Sequence, residues 1–383
     1  MVAAPIRLTV PTLESDDFAA VQAVLESGFL VQGPQVEAFE HAVAQVAGSR
    51  HAVAVTNCTA ALQMALTAVG VRAGDLVVTT AYSWLSTANV VDLCGARPVF
   101  VDIEPDTYNI DPLALESALE RLSSLTEVRS RIRAILPVHT FGGMADMDRI
   151  MAVADRYGIP VVEDAACALG ASWGGRPAGS IGEVGCFSFH PRKAVTTGEG
   201  GMVVTDNDDY AAYLRALRNH GQRRSPDGQV RFVLAGFNNR MTEMQGALGV
   251  TQMAKLDRII DARRAGAARY DELLSGSPVR PPVVPERSQH VYQSYVVLLP
   301  GGVDRSAVLD GLHSNGIEAT IGTYHMPLTD YFVSTEGHAP GDLPTTDDVA
   351  LRALTLPLHP ALTPEDQERV VRALLSHVEA ARP

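Results

Sequence analysis

Lysine is nearly missing from this 383-residue sequence: its 31 Lys and Arg residues include only two lysines, Lys193 and Lys255. Arginine carries almost all the positive charge, and there is one thing it cannot do. A guanidinium stays protonated and delocalised, whereas a lysine amine, once deprotonated, forms a Schiff base with a carbonyl. Cysteine is sparse too. Cys58, Cys94, Cys167 and Cys186 include no C-x-x-C pair, which argues against a disulfide framework or a cysteine zinc site. The 11 histidines show no metal-ligand spacing and no H-E-x-x-H, so no metal is expected. No apolar run reaches the ~18 residues of a membrane span. The first residues, MVAAPIRLTVPTLESDD, hold no apolar core of signal-peptide length. A cytoplasmic protein without a membrane partner is the expectation. G-x-G-x-x-G and Gly-Lys are both absent, which removes the dinucleotide fingerprint and the P-loop. A net charge of −13 leaves no broad surface for nucleic acid, so an anionic ligand must be met by a local cluster of donors.

Short apolar strands alternate with helical stretches through the first two-thirds of the chain. HAVAVTN, DLVVTT, RPVFVDI, AILPVHT and PVVEDAA read as strands. TAALQMALTAVG, SWLSTANVVDLC, DPLALESALERL and DMDRIMAVADRYG read as the helices between them. This rhythm predicts an α/β domain with a mainly parallel sheet. CFSFH and GMVVTD add two strands, and continuous apolar periodicity predicts one long helix from about Thr242 to Leu274. The proline-rich PVRPPVVPE reads as a linker, and the remainder as a smaller α+β domain. The proposed division is residues 1–255 and 256–383. Lys255, in MAKLDRII, is expected to face solvent.

In open α/β sheets, ligands gather beyond the carboxyl ends of the parallel strands. Asp164 ends the strand VVED. An acid there suits the pyridine nitrogen of pyridoxal 5′-phosphate (PLP), keeping it protonated so that the ring withdraws electrons; an aspartate after a strand also suits a helix N-cap. The turn Asn57-Cys58-Thr59-Ala60 links a strand to a helix, where free N–H groups either bind phosphate or are simply capped. Trp84 either stacks on a cofactor ring or belongs to the core. Most informative is Ser188-Phe189-His190-Pro191-Arg192-Lys193, followed by T-T-G-E-G-G. A lysine just past a strand end, with a serine five positions earlier, places an amine near an aldehyde carbon and a hydroxyl near a phosphate.

These stretches, together with GFLVQGPQVEAFE, VTNCTAALQMAL, PVHTFGGMADM, VVEDAACALGA and GFNNRMTEMQGALG, occur in an order that resembles the DegT/StrS family of PLP-dependent nucleotide-sugar aminotransferases. The resemblance runs from about Gly28 to the C-terminus. It implies a fold-type I PLP architecture and a homodimer with sites at the subunit interface. It implies a Schiff base on Lys193, a pyridinium partner in Asp164 and a ring-face contact from Trp84. Phosphate contacts fall to Cys58 (through its backbone), Thr59 and Ser188, and to Asn238 from the other subunit. His139, Tyr324 and His325 map near the substrate mouth. Two positions depart from the family pattern. Cys167 stands where relatives often carry His or Gln near the cofactor's phenolic oxygen, and Asn239 where an aromatic residue is common.

The implied reaction is ping-pong transamination: glutamate leaves its amine on the cofactor, which then aminates a nucleotide-linked ketosugar. His190 and Glu199, within SFHPRKAVTTGEGG, resemble members acting at C-4 of a 4-keto-6-deoxyhexose. The alternatives are amination at C-3, a keto-cyclitol acceptor, or a PLP-dependent sugar dehydratase. Arg223, Arg224 and Arg231 form a candidate seat for the substrate diphosphate, because bidentate arginines suit a phosphate on an acidic protein.

Overall fold

The computed structural model describes residues 4–382. Its centre is a sheet of β1 (His51–Val55), β2 (Leu76–Thr80), β3 (Arg97–Val101), β4 (Ile132–Leu136), β5 (Val162–Asp164), β6 (Val184–Ser188) and β7 (Gly201–Thr205). One set runs β1-β7-β6-β5 and another β4-β2-β3. Parallel bridges Ile135–Val161 and Val138–Asp164 join the two sets between β4 and β5. Only β7 runs against its neighbours; the pairs β2–β3, β2–β4 and β5–β6 are parallel.

Every residue of β2 and of β7 is buried, as expected where helices cover both faces of a sheet. The side chains divide by alternation. Val77, Leu136 and Val203 point into a core beneath the Cys58–Ala68 helix, while Val78, Ile135, Met202 and Val204 point into the opposite core with Phe39, Met147 and Phe189. Because all strands but β7 share a direction, the ends carrying Asn57, Thr80, Leu136, Asp164 and Ser188 come out along one edge of the sheet.

The second unit is a small antiparallel sheet of β8 (Tyr295–Leu298), β9 (Thr320–Ile321) and β10 (Ala353–Leu356), in the order β8-β10-β9. Helices Leu256–Leu274, Arg305–Ser314 and Pro364–Ala380 pack on it through Tyr270, Leu312, Val370 and Leu374. This is the smaller α+β unit expected from the sequence. We propose the boundary at 255/256. The start of the chain also joins this unit: Ile6 bridges Ile317, and Leu8 O accepts from Leu358 N–H at 3.2 Å.

Two expectations fail here. The long helix is two helices, Glu243–Met253 and Leu256–Leu274, broken at Ala254–Lys255. Lys255 itself is buried, only 6% exposed. Its ammonium lies 2.6 Å from Asp17 Oδ2 and 2.8 Å from Asp16 Oδ1. Both carboxylates come from the Ser15–Ser27 helix, and reaching them occupies the residue at the break. The apolar periodicity runs on through it and hides it.

Candidate active site

Asp164 ends β5, aligned with Cys186 of β6, and is 4% exposed. Its Oδ2 accepts from the Thr87 hydroxyl at 2.8 Å and its Oδ1 from Ala166 N–H at 3.2 Å. No helix starts after it, which removes the N-cap alternative. Burial pushes its carboxyl above the usual carboxylate range, against the pull of Thr87, Ala166 and the charge of Lys193. Thr87, whose hydroxyl lies 3.0 Å from Ser83 Oγ, was not anticipated from sequence; a threonine inside a short helix carries no signal of this contact.

Lys193 sits in a turn closed by its own N–H to His190 O at 2.8 Å. The flanks of that loop are pinned by Phe189 N–H to Gly200 O and Thr197 N–H to Phe189 O. From the second unit, the Gln293 side chain accepts from Ala194 N–H at 3.0 Å and donates to Arg192 O at 2.6 Å. The Lys193 Nζ lies 3.0 Å from Cys167 Sγ. Burial works against the ammonium, but Cys167, then Cys58 and Asp164, outweigh it and hold Lys193 above the usual lysine range.

A seat for an anion lies beside them. Asn57 caps the Cys58–Ala68 helix by accepting from Ala60 N–H at 2.9 Å. The N–H groups of Cys58 and Thr59 have no intrahelical acceptor. Ser188, at the end of β6, pairs with Gly201 of β7, which also pairs with Val55. A Cβ on Gly201 would stand 2.3 Å from Asn57 O and 2.7 Å from Cys58 N, so only glycine lets β7 pass under this turn. Burial pushes the Cys58 thiol well up, which leaves its backbone as the polar group on offer.

Trp84 is exposed rather than part of the core. Its ring meets that of Tyr324 edge-on, with centroids 5.5 Å apart. A two-strand ribbon of Tyr82–Ser83 with Tyr324–His325 includes Tyr324 and ends just before Trp84, and it joins the first unit to the second.

Several other residues expected at the site are placed elsewhere or stay apart. His139 is fully buried. Its Nε2 lies 2.8 Å from Glu163 Oε2, and its Nδ1 accepts from Ala145 N–H at 3.3 Å. Both ring nitrogens are used, so His139 is a core residue and not part of the mouth. Glu163 precedes Asp164 and so points to the other face of β5, where it also accepts from Gly179, Ile181 and Gly182 N–H groups. His325 turns inward to Asp347 Oδ1 at 2.9 Å. His190 is partly exposed, 3.9 Å from Glu199. Asn238 is exposed; its neighbour Asn239 accepts from Thr56 N–H at 3.1 Å, close to the end of β1. Arg223 and Arg231 face each other across the exposed hairpin Gln222–Arg224/Val230–Phe232, with Arg224 opposite Val230.

The stretch Gly170-Ala171-Ser172-Trp173-Gly174 spells G-x-S-x-G. Ser172, however, lies in a two-residue strand paired with Pro177, not on a strand-to-helix turn, so it is no nucleophile elbow. Among the described residues no group of three or more His, Cys, Asp or Glu is arranged to hold a metal. No helix among them is long and apolar enough to cross a membrane.

The chain was compared with known proteins. A solved structure of DesV from S. venezuelae, in complex with a ketimine intermediate, is 33% identical with a TM-score of 0.89, covering 98% of this chain and 99% of that one. PseC of Helicobacter pylori, an aminotransferase involved in the biosynthesis of pseudoaminic acid, is 27% identical with a TM-score of 0.90, covering 98% and 100%. The Streptococcus pneumoniae protein Spr1654, described as a sugar aminotransferase, is 25% identical in its PLP form, with a TM-score of 0.92 and coverage of 99% and 100%. The likeness extends over the whole fold, which is that of the fold-type I PLP enzymes. The residues at this edge of the sheet suit that cofactor: unpaired amides and a serine for its phosphate, a buried acid for its ring nitrogen, an amine for its aldehyde. With residues 11–375 matching the family, the chain belongs to the DegT/DnrJ/EryC1/StrS aminotransferase family and is a PLP-dependent aminotransferase.

Proposed function

We propose that this enzyme moves an amino group from glutamate to a nucleotide-linked keto-deoxysugar, at C-4 of a 4-keto-6-deoxyhexose, and works as a cytoplasmic homodimer. The observation that carries the proposal is the convergence of the Lys193 amine, the buried Asp164 and the free amides of Cys58 and Thr59 at one edge of the sheet. When bound, PLP supplies an aldehyde carbon that takes up the amino group and a ring that draws electrons from the substrate carbon.

The chain's own residues then have defined tasks. Lys193 holds the cofactor covalently and, once freed, carries a proton between substrate and cofactor carbons. Asp164 keeps a proton at the ring nitrogen; the Thr87 hydroxyl fixes the carboxylate that does so. Ser188 and the amides of Cys58 and Thr59 hold the phosphate, and Trp84 covers the ring face. Asn238 reaches the phosphate of the neighbouring subunit. Phe29, Leu30, Val31 and Phe237 are all exposed, and Val31 bridges Thr242 while Leu30 O accepts from Glu243 N–H, on the segment that follows Asn238. An apolar surface of this kind next to Asn238 suits a second copy of the chain. Tyr324 and His190 border the sugar, and Arg223, Arg224 and Arg231 hold its diphosphate.

The sugar substrate is supported by the relatives named above, and the C-4 position by His190 and Glu199 in the segment around Lys193. The test supplies matched 3-keto and 4-keto nucleotide sugars with glutamate and locates the new nitrogen by NMR. Amination of the 4-keto sugar is expected; amination of the 3-keto sugar alone would overturn the regiochemistry.

A further inference from the structure

Cys167 stands closer to the Lys193 amine than any acid does in the described contacts. Its sulfur is 3.0 Å from Nζ. The backbone that carries it is fixed: Ala166 N–H is bound to Asp164 Oδ1, and Ala168 N–H to Ala165 O at 2.9 Å. The thiol is thus held against the lysine by the same turn that orients Asp164. The other titratable groups acting on the amine are Cys58, Asp164 and, more weakly placed, His190. Asp164 is turned to Thr87 and Ala166, and Cys58 makes no hydrogen bond to Nζ. Cys167 is the group in contact.

We propose that Cys167 is a catalytic residue: its sulfur accepts the proton that Lys193 must lose to react as an amine, and holds it while the freed lysine moves a proton between carbons. The proposal rests on Lys193 being the cofactor lysine. The step is a single proton transfer, ammonium plus thiolate giving amine plus thiol, with no change in net charge and no further reactant. Ordinary thiols and lysine amines differ by about 2 pKa units, so a pair sharing one proton keeps it on nitrogen by about a hundredfold. The contact of 3.0 Å between Nζ and Sγ lets the proton pass directly from one to the other. The thiolate–ammonium form stores the proton, and the neutral form presents the amine. Asp164 is unsuited to this task, since it must keep its proton relationship with the ring nitrogen.

The scarcity of lysine makes the test direct. Lysine labelled with carbon-13 at Cε gives two side-chain signals, from Lys193 and Lys255. In the cofactor-free full chain, the Lys193 signal is followed against pH in the parent, in Cys167→Ser and in Cys167→Gln. Ser keeps a hydroxyl of similar size and Gln an amide, and neither accepts the proton. The expected result is a Lys193 midpoint lowered by about 1–3 units in both variants, as befits removal of an opposite charge in contact. The Lys255 signal should not move. In the holoenzyme, both variants should still bind PLP, lose about 10- to 100-fold in kcat and lose that pH dependence of kcat which the pair imposes. An unchanged Lys193 midpoint, or full kcat in both variants, overturns the role of Cys167. Failure of the underlying assignment looks different: Lys193→Ala would keep the visible absorbance of covalently held cofactor and its activity, whatever Cys167 does.

Discussion

Gln293 holds the backbone on both sides of Lys193. Its Oε1 accepts from Ala194 N–H and its Nε2 donates to Arg192 O. Gln293 is itself fixed from behind, because the buried Arg263 donates to its carbonyl at 3.1 Å and to Leu358 O at 3.1 Å. The lysine proposed to hold the cofactor, in the first unit, is therefore aimed by the second. Gln293→Ala should cut kcat about 10- to 100-fold, since displacing a reacting group by about 1 Å costs that much. Steady-state kinetics check this, and Gln293→Glu separates the two bonds, keeping the acceptor for Ala194 but losing the donor to Arg192. Unaltered kcat in Gln293→Ala would remove the clamp from the mechanism.

Asp164→Asn should bind PLP yet lose most activity, because an amide cannot hold the proton at the ring nitrogen. The same variant has a stability signature in the cofactor-free protein. Burial raises the Asp164 carboxyl above its unfolded value. A group raised in this way stabilises the fold when protonated and loses that contribution as pH climbs through the folded pKa. The asparagine variant should thus melt higher than the parent near neutral pH, with the difference shrinking on acidification. Thermal melts across pH would show whether the sign is right.

Lys255→Met should destabilise the fold by about 3–5 kcal/mol, as expected when one partner of a buried ion pair is removed. Asp17, 1% exposed, would be left without its cation. Burial pushes the Asp17 carboxyl up, but Lys255, Thr251, the Glu14 amide and Gln252 together hold it below its usual range. That contribution is present above the unfolded carboxylate pKa and fades as pH falls through the lower folded value. Urea titration at neutral and acidic pH reads both effects. Turnover per folded molecule should stay at the parent level, since Lys255 is tied to Asp16 and Asp17 rather than to the lysine loop.

Arg223→Glu with Arg231→Glu should raise KM for the nucleotide sugar at least about tenfold while leaving KM for glutamate nearly unchanged. Arg223 and Arg231 are cross-strand partners, and like charges directly opposite are unfavourable unless an anion relieves them. Added salt should weaken nucleotide-sugar binding by the parent more than by the double variant. Equal KM changes for both substrates would assign the hairpin another role.

The parts of the proposed site that could be read from sequence are those set by strand ends. Asp164, Ser188, Lys193 and the Cys58–Thr59 turn each follow a recognisable strand, and the parallel topology brings strand ends to one edge without further instruction. What could not be read depends on partners distant in the chain. Nothing in PVHT shows that Glu163, on the far face of β5, claims the His139 ring. Nothing in MAKLDRII announces two aspartates 238 and 239 residues away. Gln293 lies 99 residues from the amide it accepts from, between the proline-rich linker and the strand that follows it. The helix break at Ala254–Lys255 escapes because periodicity reports which side is apolar, not whether the axis continues.

The carboxylates closed around Lys255 have a practical consequence for handling the protein. An active ester or an aldehyde added to the native chain meets two lysine side chains, and one is neutralised and shielded by Glu14, Asp16 and Asp17. Apart from the α-amine, the remaining target is Lys193. In the cofactor-free chain, reagents that decorate the outside of most proteins would here report on Lys193 and the α-amine. Attachment to an amine-coupling surface would silence whatever it captured through a side chain.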